Sequence, residues 1–130
     1  MPKDSKIIPA CTFFDIVLWL MRRRSRLRVV GRSMLPVLQP GDEVFIEPLA
    51  RLIQHDRSLN VGDIVTLWHP TQPGLKMVKR IEQIDPTVEK AGDRYFVRGD
   101  NPDESTDSRQ FGWIDANQII GKVVCRFDVD

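Results

Sequence analysis

The stretch Val29-Val30-Gly31-Arg32-Ser33-Met34-Leu35-Pro36-Val37-Leu38-Gln39-Pro40-Gly41-Asp42-Glu43-Val44 decides how this chain is read. A β-branched pair runs into Gly31, where the backbone turns, and Ser33 follows just before an apolar Met-Leu. Pro36 stops a helix from continuing, because its ring pushes Leu35 out of the α region. Pro40-Gly41-Asp42 makes a second turn, and Glu43 to Pro48 resumes an alternating, strand-like pattern. A serine on a tight loop between two strands is well placed for a nucleophile, and equally well placed for an ordinary turn.

Two further stretches bear on that choice. In Lys76-Met77-Val78-Lys79-Arg80-Ile81 a lysine sits among apolar β-formers. On a strand Met77, Lys79 and Ile81 share one face and Lys76, Val78 and Arg80 the other, so Lys79 goes with the apolar side. A serine hydroxyl needs a base, and a lysine serves as one only when neutral, which burial favours. A lysine snorkelling at a sheet rim has the same pattern. The third stretch, Gly99-Asp100-Asn101-Pro102-Asp103-Glu104-Ser105-Thr106-Asp107-Ser108-Arg109-Gln110-Phe111-Gly112, reads as a long polar loop.

In this order the three segments resemble the signal peptidase family of Ser-Lys proteases. The resemblance rests on Ser33-Met34-x-Pro36, Gly41-Asp42, Gly62-Asp63-Ile64-Val65, Lys79-Arg80 and Gly99-Asp100-Asn101…Ser105-x-Asp107-Ser108-Arg109-x-Phe111-Gly112, and spans roughly Val29 to Val124. It implies Ser33 as nucleophile, Lys79 as general base and later acid, and Ser105 as the hydroxyl that orients the lysine. Asp107 and Arg109 would be the pair that holds the loop. The oxyanion hole would include the Ser33 backbone N–H; some members add a hydroxyl two residues before the nucleophile, but here that residue is Gly31. Val37 stands where many members have threonine. The short Gly-Arg-Ser-Met-Leu-Pro and Arg-Gly-Asp-Asn-Pro-x-Glu-Ser-Thr-Asp-Ser-Arg segments look like the small proteases that mature nickel-type superoxide dismutase. The implied substrate is then that proenzyme, with any nickel belonging to the substrate.

The remaining sequence suits a mainly β fold. With 130 residues, nine Pro and eight Gly, it reads as one turn-rich unit. Strands are expected at Arg26 to Gly31, Glu43 to Pro48, Ile64 to His69, Leu75 to Ile84, Arg94 to Arg98, Phe111 to Ile114 and Ile119 to Phe127. Leu49 to Asn60 reads as a surface excursion, Asp85 to Gly92 as a loop, and Asp115 to Gln118 as a turn or single helical turn. Seven short strands without a βαβ rhythm predict an antiparallel, partly closed barrel or coiled sheet. An arm over residues 1–25 precedes a catalytic domain over 26–130.

Charge is uneven: Met1 to Arg32 carries eight basic and two acidic residues, Ser33 to Asp130 eleven and sixteen. Ile7 to Met21 is apolar apart from Thr12 and Asp15, 15 residues long, and followed rather than preceded by Arg22-Arg23-Arg24-Ser25-Arg26. It is too short to span a bilayer and lacks the charge order of a secretory signal. It reads as a helix packed on the domain with solvated arginines, or as an amphipathic helix on a membrane. Cys11 and Cys125, far apart, read as reduced and structurally silent, and nothing demands an oxidising compartment. His55 and His69 have no partner at metal spacing, so neither metal nor cofactor is expected. The expected location is cytoplasmic, with membrane association through the arm as an option.

Three rival readings stand beside the small maturation protease. A general signal peptidase acting on secretory precursors is one. A self-cleaving repressor would need a DNA-binding domain before Ser33, for which 32 residues are too few. A non-catalytic β-barrel could bind nucleic acid or membrane through Arg22 to Arg28, but the rest of the chain is acidic and shows no interleaved aromatic platform.

Overall fold

The computed structural model describes residues 8–86 and 92–127. Its elements, in chain order, are α1 (Phe13–Leu20), β1 (Ser25–Arg28), β2 (Glu43–Pro48), α2 (Leu49–Gln54), β3 (Ile64–Trp68), β4 (Lys76–Asp85), β5 (Arg94–Arg98), α3 (Ser108–Phe111), β6 (Ile114–Asp115) and β7 (Ile119–Arg126). Single 3-10 turns lie at Pro102–Glu104 and Ala116–Gln118. The strands form one antiparallel sheet in the order β1-β2-β7-β3-β4-β5-β6. Register shifts at Phe45/Ile46, Thr66/Leu67 and Ile81/Gln83 bend it, as an extra residue in one strand does. The coiled, mainly β architecture expected from the strand pattern is the one observed.

Alternation along the strands divides the apolar residues into two clusters. Val65, Leu67, Ile81, Val97 and Ile114 pack on one side. Val44, Ile46, Ile64 and Val123 pack on the other, where Val29, Met34 and Leu38 join them.

Two local expectations change. Leu49 to Asn60 is no surface excursion: α2 buries Leu52, and Leu59 follows it into the core. Phe111 to Ile114 is not a strand, because the preceding residues form the short helix α3 and β6 is only Ile114–Asp115. The cause is a reciprocal cap in which Asp107 accepts at the helix start and Gln110 bonds back to the Asp107 N–H. The loop expected at Asp85 to Gly92 falls largely outside the described residues.

The arm departs most from expectation. Cys11 and Cys125 are joined in a disulfide, not reduced and silent. A separation of 114 residues in sequence says nothing about distance once the sheet has coiled. Ala10 bridges Arg126, the Cys11 N–H donates to the Arg126 carbonyl (3.0 Å), and the Arg126 N–H donates to the Pro9 carbonyl (2.9 Å). The two Cα atoms thereby come within 4.9 Å. Thr12 and Asp15 cap α1 reciprocally, Leu18 is buried, and Trp19 stacks on Phe45.

Nor are all the arginines solvated. Arg24 turns onto the buried Glu47, which Arg51 and Arg57 also contact. Burial alone would raise the Glu47 pKa; Arg57, Arg24 and Arg51 outweigh it and hold the carboxyl below its usual value. Arg26 pairs with Glu43 and lies over the Phe127 ring. Because the disulfide closes most of the chain into one loop, the Cys11→Ser/Cys125→Ser protein is expected to lose about 2–4 kcal/mol. Thermal melts of the two proteins without reductant check this, and equal midpoints would show that the cross-link does not constrain the fold.

Candidate active site

Met34 and Leu38 are almost wholly buried in the second apolar cluster, so the turn that carries them is pinned to the sheet. The Leu38 N–H donates to the Met34 carbonyl and the Val29 N–H to the Asp42 carbonyl, closing the turn at both ends. Gly31 and Gly41 take φ values of +85° and +94°, a region that disfavours other residues. Ser33, one residue before the plug, is left half-buried at the rim.

The alternation expected of β4 is present. Met77 and Ile81 pack with the first cluster and Val78 with the second. Lys79 is 3% exposed, and its Nζ donates to Ser105 Oγ at 3.0 Å. Ser105 Oγ in turn donates to Asp107 Oδ2 at 2.8 Å. Asp107 is fully buried and also accepts from the Gly99 N–H, the Arg109 N–H and Arg109 Nε. Four of the five residues singled out in the sequence thus form one connected chain. The fifth, Ser33, lines the same cleft as Lys79, a space of about 280 Å³ whose other walls come from Leu27, Arg28, Val30 and residues 75–78.

Electrostatics follow from burial. Loss of water pulls the Lys79 pKa down to about 8; the Asp107 carboxylate opposes the shift and Arg109 adds to it. Burial pushes the Asp107 carboxyl the other way, but its hydrogen bonds from Arg109, Gly99 and Ser105 win and hold it at about 2. Asp107 is therefore a carboxylate at any working pH. It accepts the hydrogen bond from the Ser105 hydroxyl, which leaves a Ser105 lone pair facing Lys79. A lysine amine donating one N–H there keeps its own lone pair for another proton.

The sequence reading gave Arg80 no task and placed it opposite Lys79. It is on the opposite face, but it is also buried, 3% exposed. Its guanidinium forks onto Asp100 through two bonds of 2.9 Å, and Nη1 reaches the Gly62 carbonyl at 2.8 Å. The neighbouring Asn101 donates its N–H to the Ser33 carbonyl (2.8 Å) and its Nδ2 to the Arg32 carbonyl (3.0 Å). Asp100 and Asn101 thereby tie the Ser33 turn to the centre of β4. Both had been quoted from the sequence without a role. The signal that could have found them was Arg80 beside Lys79: two consecutive cations on a central strand cannot both face water. His69, without a role in the sequence reading, accepts the Thr71 and Gln72 N–H groups at Nδ1 and so closes the β3–β4 hairpin.

Gly99 sits at the crowded centre. A Cβ there would lie 2.2 Å from Ser105 Oγ and 2.7 Å from the Ser33 carbonyl oxygen. Gly99→Ala is expected to cost about 1–3 kcal/mol through overpacking, read as a lower urea midpoint, and to drive Ser105 away from Lys79. An unchanged midpoint would mean that the loop yields freely.

A model of the family described as signal peptidase, peptidase S26, matches residues 5–87 and 82–127. The chain belongs to the signal peptidase family. Members are serine-type peptidases, and their substrates are precursor proteins. Among its relatives, the mitochondrial ATP-independent inner membrane protease subunit 1a of Arabidopsis thaliana is 32% identical over 119 residues, covering 78% of this chain and 69% of that protein. The human mitochondrial inner membrane protease subunit 1 is 32% identical over 107 residues, 72% of this chain and 63% of that protein. Signal peptidase IB of Staphylococcus aureus is 59% identical over a stretch of 34 residues. The matches to the mitochondrial relatives span about two thirds of those proteins' lengths. These relatives carry the family and lend no support to a nickel superoxide dismutase precursor as the substrate.

Proposed function

We propose that this chain is a serine endopeptidase that removes an N-terminal extension from a precursor protein, with Ser33 as nucleophile and Lys79 as general base. One observation carries the reading: a buried lysine of lowered pKa, held by Ser105 and Asp107, shares a cleft with a serine on a pinned turn. In the reaction Lys79 takes the Ser33 proton as Oγ attacks the scissile carbonyl. It then returns the proton to the leaving amine, and a water deacylates the enzyme by the same route. The Ser33 N–H is assigned to the oxyanion. Ser105 orients Lys79, and Asp107 with Arg109 holds Ser105. We take residues 1–25 as an arm and 26–130 as the catalytic domain.

The cleft suits an extended peptide. Among the described residues β1 ends the sheet, and β4 from Lys76 to Lys79 pairs with β3 alone, because pairing to β5 begins at Arg80. Two open strand edges therefore flank Ser33, and a substrate strand can bond to them.

The finer substrate reading is the nickel-type superoxide dismutase proenzyme, which rests on the short resembling segments alone. A general signal peptidase is the second reading, favoured by the relatives. Incubation with that proenzyme and with a panel of secretory precursors, followed by mass spectrometry of the product N-termini, separates them. Cleavage of neither by the wild-type protein would remove the peptidase reading.

For location, we place the protein at a membrane surface open to an oxidising compartment, in place of the cytoplasm expected from the sequence. The Cys11–Cys125 disulfide supports this, since such bonds persist outside reducing cytosol. So do the relatives named for an inner membrane. Among the described residues no helix is long and apolar enough to cross a membrane. However, Phe13, Phe14 and Leu20 lie exposed on α1, and its C-cap Met21 lies exposed beside Arg22 and Arg23. Phe, Leu and Arg so arranged suit an anionic bilayer surface. The protein is expected to sediment with vesicles containing anionic lipid, and Phe13→Glu/Leu20→Glu to remain in the supernatant; equal partition of the two would exclude the contact.

A further inference from the structure

The cleft beside Ser33 carries a charge pattern that its apolar walls do not require. Leu27, Val30, Leu75, Met77 and Val78 give it an apolar lining, and Val30 and Leu75 are notably exposed there. Two cations, Arg28 on the β1 side and Lys76 on the β4 side, complete the lining, and both are exposed. Among the described residues no carboxylate lines the cleft. The nearest acidic residues are paired mainly with other cations. Glu43, opposite Arg28 in the β1–β2 register, is hydrogen-bonded to Arg26, which with a smaller contribution from Arg28 holds its carboxyl below the usual value. Glu104 is held by Arg32 and Asn101, and Asp107 by Arg109. Among the described residues neither Arg28 nor Lys76 forms an ion pair; Lys76 lies over the Trp68 ring, with Nζ 5.4 Å from its centroid.

We propose that Arg28 and Lys76 make this cleft selective for peptides with an acidic side chain close to the scissile bond. The inference rests on the peptidase reading of the same site and adds the substrate class to it. The argument is one of geometry and charge. A peptide strand lying between the β1 and β4 edges points its side chains alternately toward and away from the cleft floor. Within one or two residues of the carbonyl that faces Ser33, such a side chain meets Arg28 on one flank or Lys76 on the other. An Asp or Glu there gains one or two ion pairs in place of water. A Lys or Arg meets two like charges, and no carboxylate among the described residues lines the cleft between them. Both cations are exposed, so the contribution falls on encounter and binding more than on the chemical step, and it is screened by salt.

The test uses fluorescein-labelled decapeptides of Ala, Leu and Ser that carry a single Asp, Asn or Lys at successive positions. Their binding to full-length Ser33→Ala protein is read by anisotropy, and their cleavage by the wild-type protein is read by mass spectrometry. At one or two positions the Asp peptide should bind roughly tenfold more tightly than the Lys peptide at low salt. The ratio should shrink toward one at about 0.5 M salt. In a Ser33→Ala/Arg28→Glu/Lys76→Glu protein the order of the Asp and Lys peptides should invert. Equal binding of all three peptides, binding of none at millimolar concentration, or an order unchanged by the charge reversal would each overturn the proposal. The underlying reading fails separately. If the wild-type protein cuts none of these peptides and no precursor, while the Asp preference and its inversion are seen, the charge selectivity stands and the peptidase does not. If peptides are cut without regard to charge, the peptidase stands and the selectivity does not.

Discussion

Ser33→Ala and Lys79→Ala proteins will process a precursor on the order of 10⁴-fold more slowly than the wild type, or worse, and the double variant little more slowly than either alone. Residues that act as one unit lose their effect together, so non-additivity is the sharper part of the expectation. The pH profile supplies an independent check. Lys79 serves as base only when neutral, and its pKa of about 8 leaves roughly one molecule in ten competent at pH 7. The wild-type kcat/KM should therefore rise about tenfold per pH unit below pH 8 and level off above it. The linkage to stability has a definite sign. The folded pKa lies below the ordinary lysine value of 10.5, so the unfolded chain binds more protons between about pH 8 and 10.5, and stability rises with pH across that window. Below pH 8 the folded protein carries a buried ammonium at a cost. Lys79→Met should accordingly be inactive yet at least as stable as wild type at neutral pH. A flat pH profile between 6 and 9, or a Lys79 variant that retains activity, would refute the general-base role.

Arg80→Ala will destabilise the protein by about 3–5 kcal/mol, because it leaves the Asp100 carboxylate, 8% exposed, without its counter-charge. That is a large share of the 5–15 kcal/mol typical of a domain, so partial unfolding at 37 °C is expected. Arg80→Lys should recover only part of the loss, since an ammonium cannot fork onto the carboxylate and also reach Gly62. The Arg80→Ala/Asp100→Ala double variant should lose much less than the two single losses added. Urea unfolding of the four proteins measures the coupling. Activity should fall further than the unfolded fraction explains, because Asn101 holds the Ser33 carbonyl from the residue next to Asp100. If the folded fraction of Arg80→Ala cleaves as fast as wild type, Asn101 positions Ser33 without help from the ion pair.

The same two residues show how much could be read in advance. Lys79 was legible because strand periodicity is local: its neighbours at two-residue spacing are Met77 and Ile81, and the side that takes them takes it. Arg80 was not, because the compensation for burying it comes from Asp100, twenty residues on, and from a carbonyl on the β3 side. The strands were legible for the reason that Lys79 was, and the short helices less so. Asp107 and Gln110 at capping-box spacing read as loop polarity, and α2 was hidden because Leu52 and Leu59 bury only when a sheet is there to receive them.

In the sequence by itself, alternation and turn residues, which are properties of short segments, pointed to a coiled antiparallel sheet with Lys79 on the apolar face of its strand, while roles for Ser105, Asp107 and Arg109 were implied only by the family resemblance. Only the tertiary structure decided what lies against what. It joined Cys11 to Cys125 across 114 residues, folded Arg24 onto Glu47, drew Ser105 between Lys79 and Asp107, and brought Arg28 and Lys76 to the lining of one cleft. Those contacts depend on how far the bulged sheet curls, and that curl is a sum over many residues that no short window contains.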